Sequence, residues 1–90
     1  MPEHRASQPV GQRLERLTPR ELQILALMVD GLERSAIAKR LHVSPHTVRT
    51  HMQNLQAKLG VHSGVAAVSV ALRAGLRPGD RPEDTHGGPG

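Results

Sequence analysis

SPHTVRTHMQNLQAKLG, residues 44–60, has the pattern of one complete amphipathic helix. Ser44 is a favourable N-cap, and Pro45 suits the first helical position, where its missing N–H costs nothing. Gly60, just beyond Lys58 in the last turn, is a helix stop. Apolar residues recur at i, i+4, i+7 and i+11 along one face, at Val48, Met52, Leu55 and Leu59. The stretch therefore predicts a helix over about 45–59 with one buried face.

The opposite face of this predicted helix is polar and carries no carboxylate. All of its side chains can donate a hydrogen bond: His46, Arg49, Thr50, Gln53 and Asn54. A helix that is apolar behind and rich in donors in front suits insertion into the major groove of DNA. A surface helix with a merely solvated polar face would show the same pattern, so the neighbouring segments must decide.

Composition narrows the possible functions. The 90 residues allow one domain, and the absence of cysteine excludes disulfides, thiolate metal sites and a thiol nucleophile while fitting a reducing cytoplasm. The absence of Phe, Tyr and Trp argues against modules that stack bases on aromatic side chains. No apolar run approaches the roughly 20 residues of a membrane span, and the start does not resemble a secretory signal.

The net charge of +4 is unevenly distributed. Residues 18–77 hold eight basic and three acidic residues, whereas residues 78–90 hold one basic and three acidic. The basic middle of the chain favours a polyanionic partner.

Two further helices are predicted before residue 44. Thr18, Pro19 and Glu21 form the pattern of a capping box, with Leu17 and Leu22 placed for a hydrophobic staple, and that helix runs to Gly31. A short helix over 34–41 follows, with Ile37 and Leu41 one turn apart and Lys39 and Arg40 pointing outward; Glu33 is a weak cap for it. The three residues 42–44 then form a turn, so the segment is predicted to be a helix-turn-helix unit. Glycine is usual where such a turn needs a positive φ, and His42 can adopt that conformation at some cost.

A fourth helix is predicted over about 63–75, with Ser63 as a possible cap and Gly75 as its stop. It is apolar on more than one side, beyond what packing against three short helices requires. Because a domain of about 60 residues is only marginally stable, we expect the surplus apolar face to form a dimer contact through Val65, Ser69 and Leu72.

The ends of the chain lack periodicity. Residues 1–16 are interpreted as a flexible arm or linker, with a tag or linker scar as the alternative. Residues 78–90, rich in Pro and Gly, are interpreted as a disordered tail. The predicted domain is 17–77, all-α, with four helices.

The order and spacing of these signals resemble the LuxR/FixJ/GerE-type helix-turn-helix domain of bacterial transcription regulators. The resemblance runs without a gap over about two thirds of the chain. It is carried by Leu17–Glu21, Leu25, Asp30–Leu32, Ile37–Leu41, Val43–Ser44, Thr47–His51, Leu55, Lys58–Val61 and Ala67. It implies a third helix that reads the major groove and a fourth that pairs two subunits on an inverted repeat.

The resemblance also implies roles for single residues. The base-reading positions fall on Arg49, Thr50 and Gln53, with a phosphate contact as the alternative for Arg49. Arg49 suits guanine, Gln53 suits adenine or a water-bridged contact, and Thr50 offers either a methyl group to thymine or a hydroxyl. The expected DNA backbone contacts are Ser44, His46, Thr47, Asn54 and Lys58.

The chain departs from the family pattern at a few positions. Glu33 stands where a small capping residue is usual, and Ser35 stands where a cation is common. His62 and Gly64 replace further residues that usually help the domain to contact the DNA backbone. Weaker non-specific affinity or a greater dependence on dimerisation is therefore expected. No additional receiver or ligand-binding domain fits before residue 17, so the chain is expected to be a stand-alone effector or an excised C-terminal domain.

Other chemistries fit the sequence poorly. His46 and His51 are five residues apart, not the four that place two ligands on one helical face, so no metal and no cofactor is predicted. No nucleophile, base and orienting group converge, so an enzyme is not predicted. The predicted function is a cytoplasmic, nucleoid-associated regulator that binds double-stranded DNA as a homodimer, with RNA polymerase as a further candidate partner and no membrane. The alternative is a protein-interaction module that pairs with and antagonises a related regulator without binding DNA.

Overall fold

The computed structural model describes residues 14–79, and within them the chain forms four α-helices and no strand. They are α1, Pro19–Val29; α2, Arg34–Leu41; α3, Pro45–Leu59; and α4, Gly64–Arg73. The all-α prediction and the four predicted helices are confirmed. The fourth helix is shorter than the predicted 63–75, because Ser63 lies outside it as the N-cap and Ala74 already closes it as the C-cap.

Each helix begins where its cap predicts. Thr18 forms the full capping box of α1: its hydroxyl accepts from the Glu21 N–H at 3.1 Å, and its own N–H donates to the Glu21 carboxylate at 2.9 Å. Ser44 and Ser63 likewise cap α3 and α4 through their hydroxyl oxygens. Glu33 makes no side-chain cap bond to α2, in agreement with its weak capping pattern.

The turn between α2 and α3 depends on one strained residue. His42 takes φ 60° and ψ 43°, and it is the only residue other than glycine with a positive φ in residues 14–79. As the sequence indicated, His42 can adopt this left-handed conformation, at some cost, where glycine is usual. It ends α2 and, with Val43 and Ser44, joins it to α3 in three residues, as in a helix-turn-helix unit.

A single hydrophobic core lies between the helices. The largest side chains with almost no solvent exposure come from α1, α2 and α3: Ile24, Leu25, Leu27, Ile37, Val48, Leu55 and Leu59. From α4, the core takes Ala67, Val70 and Ala71. Of the four residues predicted for the buried face of α3, Met52 is only half-buried and packs against the edge of the core.

The packed part of the chain extends slightly beyond both predicted boundaries. Leu14, assigned by the sequence to the arm, packs against the core, and its carbonyl accepts from the Leu17 N–H at 3.0 Å. At the other end the Gly79 N–H donates to the side chain of Asp30. The rest of the predicted arm and tail, residues 1–13 and 80–90, lies outside the described residues.

Candidate nucleic-acid interface

The exposed face of α3 presents the three side chains predicted to read bases. Arg49, Thr50 and Gln53 are all solvent-exposed, as is Asn54. Val48, directly before Arg49, is fully buried, which orients the helix so that this polar face points away from the core. Within residues 14–79, the side chains of Arg49, Gln53 and Asn54 make no intramolecular hydrogen bond, so their donors are available to a ligand.

The N-terminal end of α3 is held by its own side chains. The Ser44 hydroxyl accepts from the Thr47 N–H at 3.0 Å, and the two hydroxyl oxygens of Ser44 and Thr47 lie 3.0 Å apart. One turn further, the Thr50 hydroxyl donates to the main-chain carbonyl of His46 at 3.2 Å. His46 itself is exposed. These short-range bonds stabilise the first two turns of the helix, and the buried Val48 joins the same turns to the core.

The charged residues from α2 to the end of the described chain are all basic. From residue 34 to residue 79 the sequence has seven cations and no carboxylate. The cations are Arg34, Lys39, Arg40, Arg49, Lys58, Arg73 and Arg77. α2, α3 and α4 therefore carry only positive formal charge, and such a surface attracts a polyanion.

The carboxylate of Glu21, in α1, contacts α3 in the folded chain. The Lys58 ammonium lies 2.8 Å from Oε1 of Glu21, the oxygen that also accepts the Thr18 N–H. The Glu21 side chain is 5 % exposed and that of Lys58 37 % exposed. Lys58, predicted from the family resemblance as a backbone contact, thus already has a protein partner. The sequence reasoning missed this pair, since a capping-box glutamate and a lysine 37 residues later give no sign that they meet.

The contacts of Glu21 with Lys58 and Thr18 favour its ionised form. Burial alone raises the pKa of the Glu21 carboxyl, but the hydrogen bonds from Lys58 and Thr18 and the positive charge of Lys58 outweigh that effect, and the net pKa lies below its ordinary value. Glu21 is therefore ionised at neutral pH, and it joins the start of α1 to the last turn of α3 by a charged hydrogen bond.

The predicted contact residues of α4 lie on its outer side. Val65 is 83 % exposed and Leu72 38 % exposed, while Ser69 is half-buried and its hydroxyl accepts from Arg73 at 3.4 Å. Beside Val65 lies an open, mainly apolar groove of about 300 Å³ between the end of α1, the middle of α3 and the start of α4. Its apolar lining includes Met28, Leu32, Met52, Val65 and Val68.

Metal-ligating residues do not gather in the part of the chain that the structure covers. Within residues 14–79, no three His, Asp or Glu side chains are arranged to hold a metal ion. Over the same residues, no single helix is long and apolar enough to cross a membrane; only α3 and α4 taken together, bent by 56° at the break between them, reach that length and hydropathy.

Comparison with known proteins gives a family for this arrangement. Residues 15–71 match the model of the bacterial regulatory proteins of the luxR family. The match includes α1, α2 and α3 completely and most of α4. No solved structure gives a significant match.

Curated relatives match the same region. A putative HTH-type transcriptional regulator of Mycobacterium tuberculosis is 49 % identical over 59 residues, which cover 66 % of this chain and 7 % of that protein. The uncharacterized response regulatory protein YgeK of Escherichia coli is 47 % identical over 60 residues, or 67 % of this chain and 41 % of that protein. The transcriptional regulatory protein FixJ of Azorhizobium caulinodans is 39 % identical over 75 residues, which cover 83 % of this chain and 36 % of that protein.

This chain therefore spans less than half the length of each of these relatives. The matched region coincides with the helix-turn-helix unit and the core that supports it. The chain belongs to the luxR family of bacterial regulatory proteins and carries its helix-turn-helix DNA-binding domain.

Proposed function

We propose that this domain binds double-stranded DNA sequence-specifically, with α3 in the major groove, as part of a transcriptional regulator. The observation that carries the proposal is the exposed face of α3, where Arg49, Gln53 and Asn54 have hydrogen-bond donors without intramolecular partners within residues 14–79. A major groove about 12 Å wide admits one α-helix, and α3, at 15 residues, is roughly 22 Å long. The exclusively cationic charge of residues 34–79 supports the same partner.

The base-reading roles follow from the chemistry of each side chain. The Arg49 guanidinium offers a two-pronged donor that matches O6 and N7 of guanine, and it is free to adopt that geometry because it has no other partner in the described residues. The Gln53 amide, one turn further along the same face, can bond bidentately to adenine or through water. Thr50 lies between them on the exposed surface.

The sugar-phosphate backbone would be held around the start of α3. The main-chain N–H groups there are available to phosphates, Ser44, His46 and Asn54 are exposed, and Thr47 is half-buried beside Ser44. Lys58 differs from these, because one of its three N–H donors is used by Glu21. Its remaining donors can still approach a phosphate, since the side chain is partly exposed.

We further propose that the domain acts as a homodimer on an inverted repeat, through α4. Val65 projects from the surface beside the groove that includes Met28 and Met52, so one patch holds both a protruding apolar side chain and an apolar recess. A two-fold contact needs such self-complementarity, because each subunit offers the same surface. A regulator of this kind acts on the nucleoid in the cytoplasm, with RNA polymerase as a further partner.

Selection of bound duplexes from a random-sequence pool tests DNA binding. We expect one enriched half-site, repeated in inverted orientation at a fixed spacing. Binding of the selected duplex should weaken steeply with salt, with a slope that corresponds to a handful of phosphates per subunit. The absence of any shift on any duplex at low salt would contradict the proposal.

Sedimentation across a concentration series tests the dimer. Val65→Asp and Leu72→Asp should move the chain toward monomer, because each places a charge in the apolar contact. Ala36→Asp, at an exposed position on α2, is the matched control and should leave the association unchanged. A mass that stays the same across concentrations in the parent and in all three variants would refute the dimer.

A second candidate function is a protein-interaction module that pairs with a related regulator and silences it without binding DNA. The exposed apolar side chain of Val65 favours it as much as it favours a homodimer. The two functions differ in the DNA assay: the second requires pairing through α4 with no duplex bound by the chain alone. The free Arg49 donors favour the first, because a module that no longer contacts DNA has no use for them.

A further inference from the structure

His62 lies in an open recess at the end of α3, together with a residue proposed to read bases. The recess has a volume of about 510 Å³ and is lined by Gln53, Gln56, Ala57, Gly60, Val61 and His62. His62 and Gln53 are both solvent-exposed, and within residues 14–79 the His62 imidazole has no hydrogen-bond partner. The imidazole is therefore available to any ligand that reaches Gln53.

The surroundings of this recess carry no negative charge. Apart from the imidazole, none of its lining side chains is titratable or charged. The last turn of α3 carries Lys58, which already pairs with Glu21 of α1, and residues 63–66 at the start of α4 have only uncharged side chains. Because no carboxylate lines the recess, an anion beside His62 would have to belong to a bound ligand.

A duplex held by α3 would bring such anions. Both walls of the major groove are sugar-phosphate backbone, so a side chain that shares a recess with a base-reading residue lies close to phosphates. Histidine ordinarily gains a positive charge as the pH falls from about 8 to about 5, and both ring nitrogens then donate. A charged donor binds a phosphate more strongly than a neutral one does.

We propose that His62 is a proton-dependent contact to a DNA phosphate, so that duplex binding takes up a proton and strengthens as the pH falls. This inference rests on the proposed function. His62 stands where the family pattern has a cation, and protonation would restore that charge under mildly acidic conditions only. Glu21 stays ionised there, because its pKa lies below the ordinary glutamate value.

Titration of the selected duplex at a series of pH values tests the proposal on the full 90-residue chain. From about pH 8 to about pH 5.5, the affinity of the parent chain should rise about threefold to tenfold, as expected when one neutral hydrogen bond becomes a charged one. The slope of log affinity against log salt concentration should steepen by about one over the same range, because one more phosphate is neutralised.

Three variants assign the proton to one residue. His62→Gln keeps a hydrogen-bonding side chain that does not titrate, so it should lose most of the rise in affinity. His62→Lys is charged throughout, so it should bind about as tightly at about pH 8 as the parent chain does at about pH 5.5. His46→Gln, at an exposed position in the first turn of α3, is the matched control and should keep the rise. Each comparison is made within one variant, which cancels small changes in folding.

The outcomes are distinguishable. Tight binding that does not change with pH would overturn the role of His62 and leave the proposed function intact. A rise that persists in His62→Gln and disappears in His46→Gln would assign the proton to the start of α3, which also overturns the proposal. A rise without any change in the salt slope would contradict a phosphate contact. Failure of the parent chain to bind any duplex at low salt would overturn the proposed function itself.

Discussion

The two ends of α3 are built differently. The first turns carry exposed side chains, and their order comes from bonds within the segment, between Ser44 and Thr47 and between Thr50 and the His46 carbonyl. The last turns are anchored from outside the helix, because Leu55 and Leu59 are buried in the core and Lys58 pairs with Glu21 of α1. Only Val48 secures the first half to the core to a similar degree.

This division separates support from recognition. A helix held rigidly at one end can present the other end to a ligand in a fixed orientation without placing the reading residues themselves in the core. Side chains that are positioned before binding lose less entropy when the ligand arrives. The anchored end should therefore govern stability, and the exposed end should govern affinity for DNA.

The largest effect on stability is expected from truncating a buried side chain in the last turns of α3. Leu55→Ala should destabilise the fold by about 2–5 kcal/mol, because Leu55 is fully buried and its loss leaves a cavity. Chemical denaturation measures the change. Asn54→Ala, one residue earlier and exposed, should alter the stability by no more than about 0.5 kcal/mol. Similar losses in the two variants would show that α3 is not anchored on this side.

Removing the ion pair tests the role of the last turn. Lys58→Met should cost about 1–3 kcal/mol of stability, because it leaves the buried Glu21 carboxylate without its charged partner. Adding Glu21→Gln in a double variant should recover part of the loss, as a thermal melt would record. The salt dependence of DNA binding is the second measurement. If the slope of log affinity against log salt concentration falls by about one in Lys58→Met, Lys58 contacts a phosphate. If the slope is unchanged, Lys58 only supports the fold.

At the exposed end the expected effect is on binding. Arg49→Ala should weaken binding to the selected duplex by about 1–3 kcal/mol and relax the preference at one base position, with almost no change in the melting temperature. Arg40→Ala, which removes an exposed cation from α2, is the matched control and should leave the base preference intact. An equal loss on all sequences in Arg49→Ala would identify Arg49 as a phosphate contact.

Lowering the pH should reduce the stability that the Glu21–Lys58 pair contributes to the fold. The pKa of the Glu21 carboxyl is lowered in the folded state, so its stabilising contribution is complete above the ordinary glutamate pKa, near 4.5, and decreases as the pH falls through the lowered folded value. Denaturation at a series of pH values should show this decline in the parent chain. Glu21→Gln should flatten that part of the profile; an identical slope in parent and variant would contradict the assignment.

The smallest predicted effects concern the turns on either side of α3. His42 holds φ 60°, a conformation that glycine adopts without a steric penalty, so His42→Gly should stabilise the fold by about 0.5–1 kcal/mol. Gly60 holds φ 73°, and Gly60→Ala should destabilise it by about 1 kcal/mol, although the added methyl would meet no other atom. Melting temperatures that move in the same direction for both variants would contradict this account.

The start of each helix was predictable because its signals are local. The capping box at Thr18 and Glu21 and the caps at Ser44 and Ser63 depend on residues three positions apart. The short turn at residues 42–44 was predicted, and His42 takes the positive φ that the sequence indicated it can adopt. The end of α4 was predicted less accurately, because the helix ends at Arg73, two residues before the predicted stop at Gly75.

Burial was predictable only in outline. Helical periodicity correctly separates Val48, Leu55 and Leu59 from the exposed Arg49 and Gln53, because the 3.6-residue repeat places them on opposite faces. It does not tell how far the neighbouring helices extend. Met52 lies on the predicted buried face but at the rim of the core, beside the groove next to α4, and it remains half-buried.

The sequence by itself determined the four helices, the helix-turn-helix turn and the polar face of α3, since caps, turn length and periodicity act over a few residues. Only the tertiary structure decided which partner Lys58 takes, because the approach of Glu21 to the last turn of α3 depends on how α1 and α3 pack. The extent to which Val65 remains exposed was decided in the same way, by the face of α4 that the core leaves uncovered. Packing brings together residues distant in the chain, and no pattern along the sequence encodes those distances.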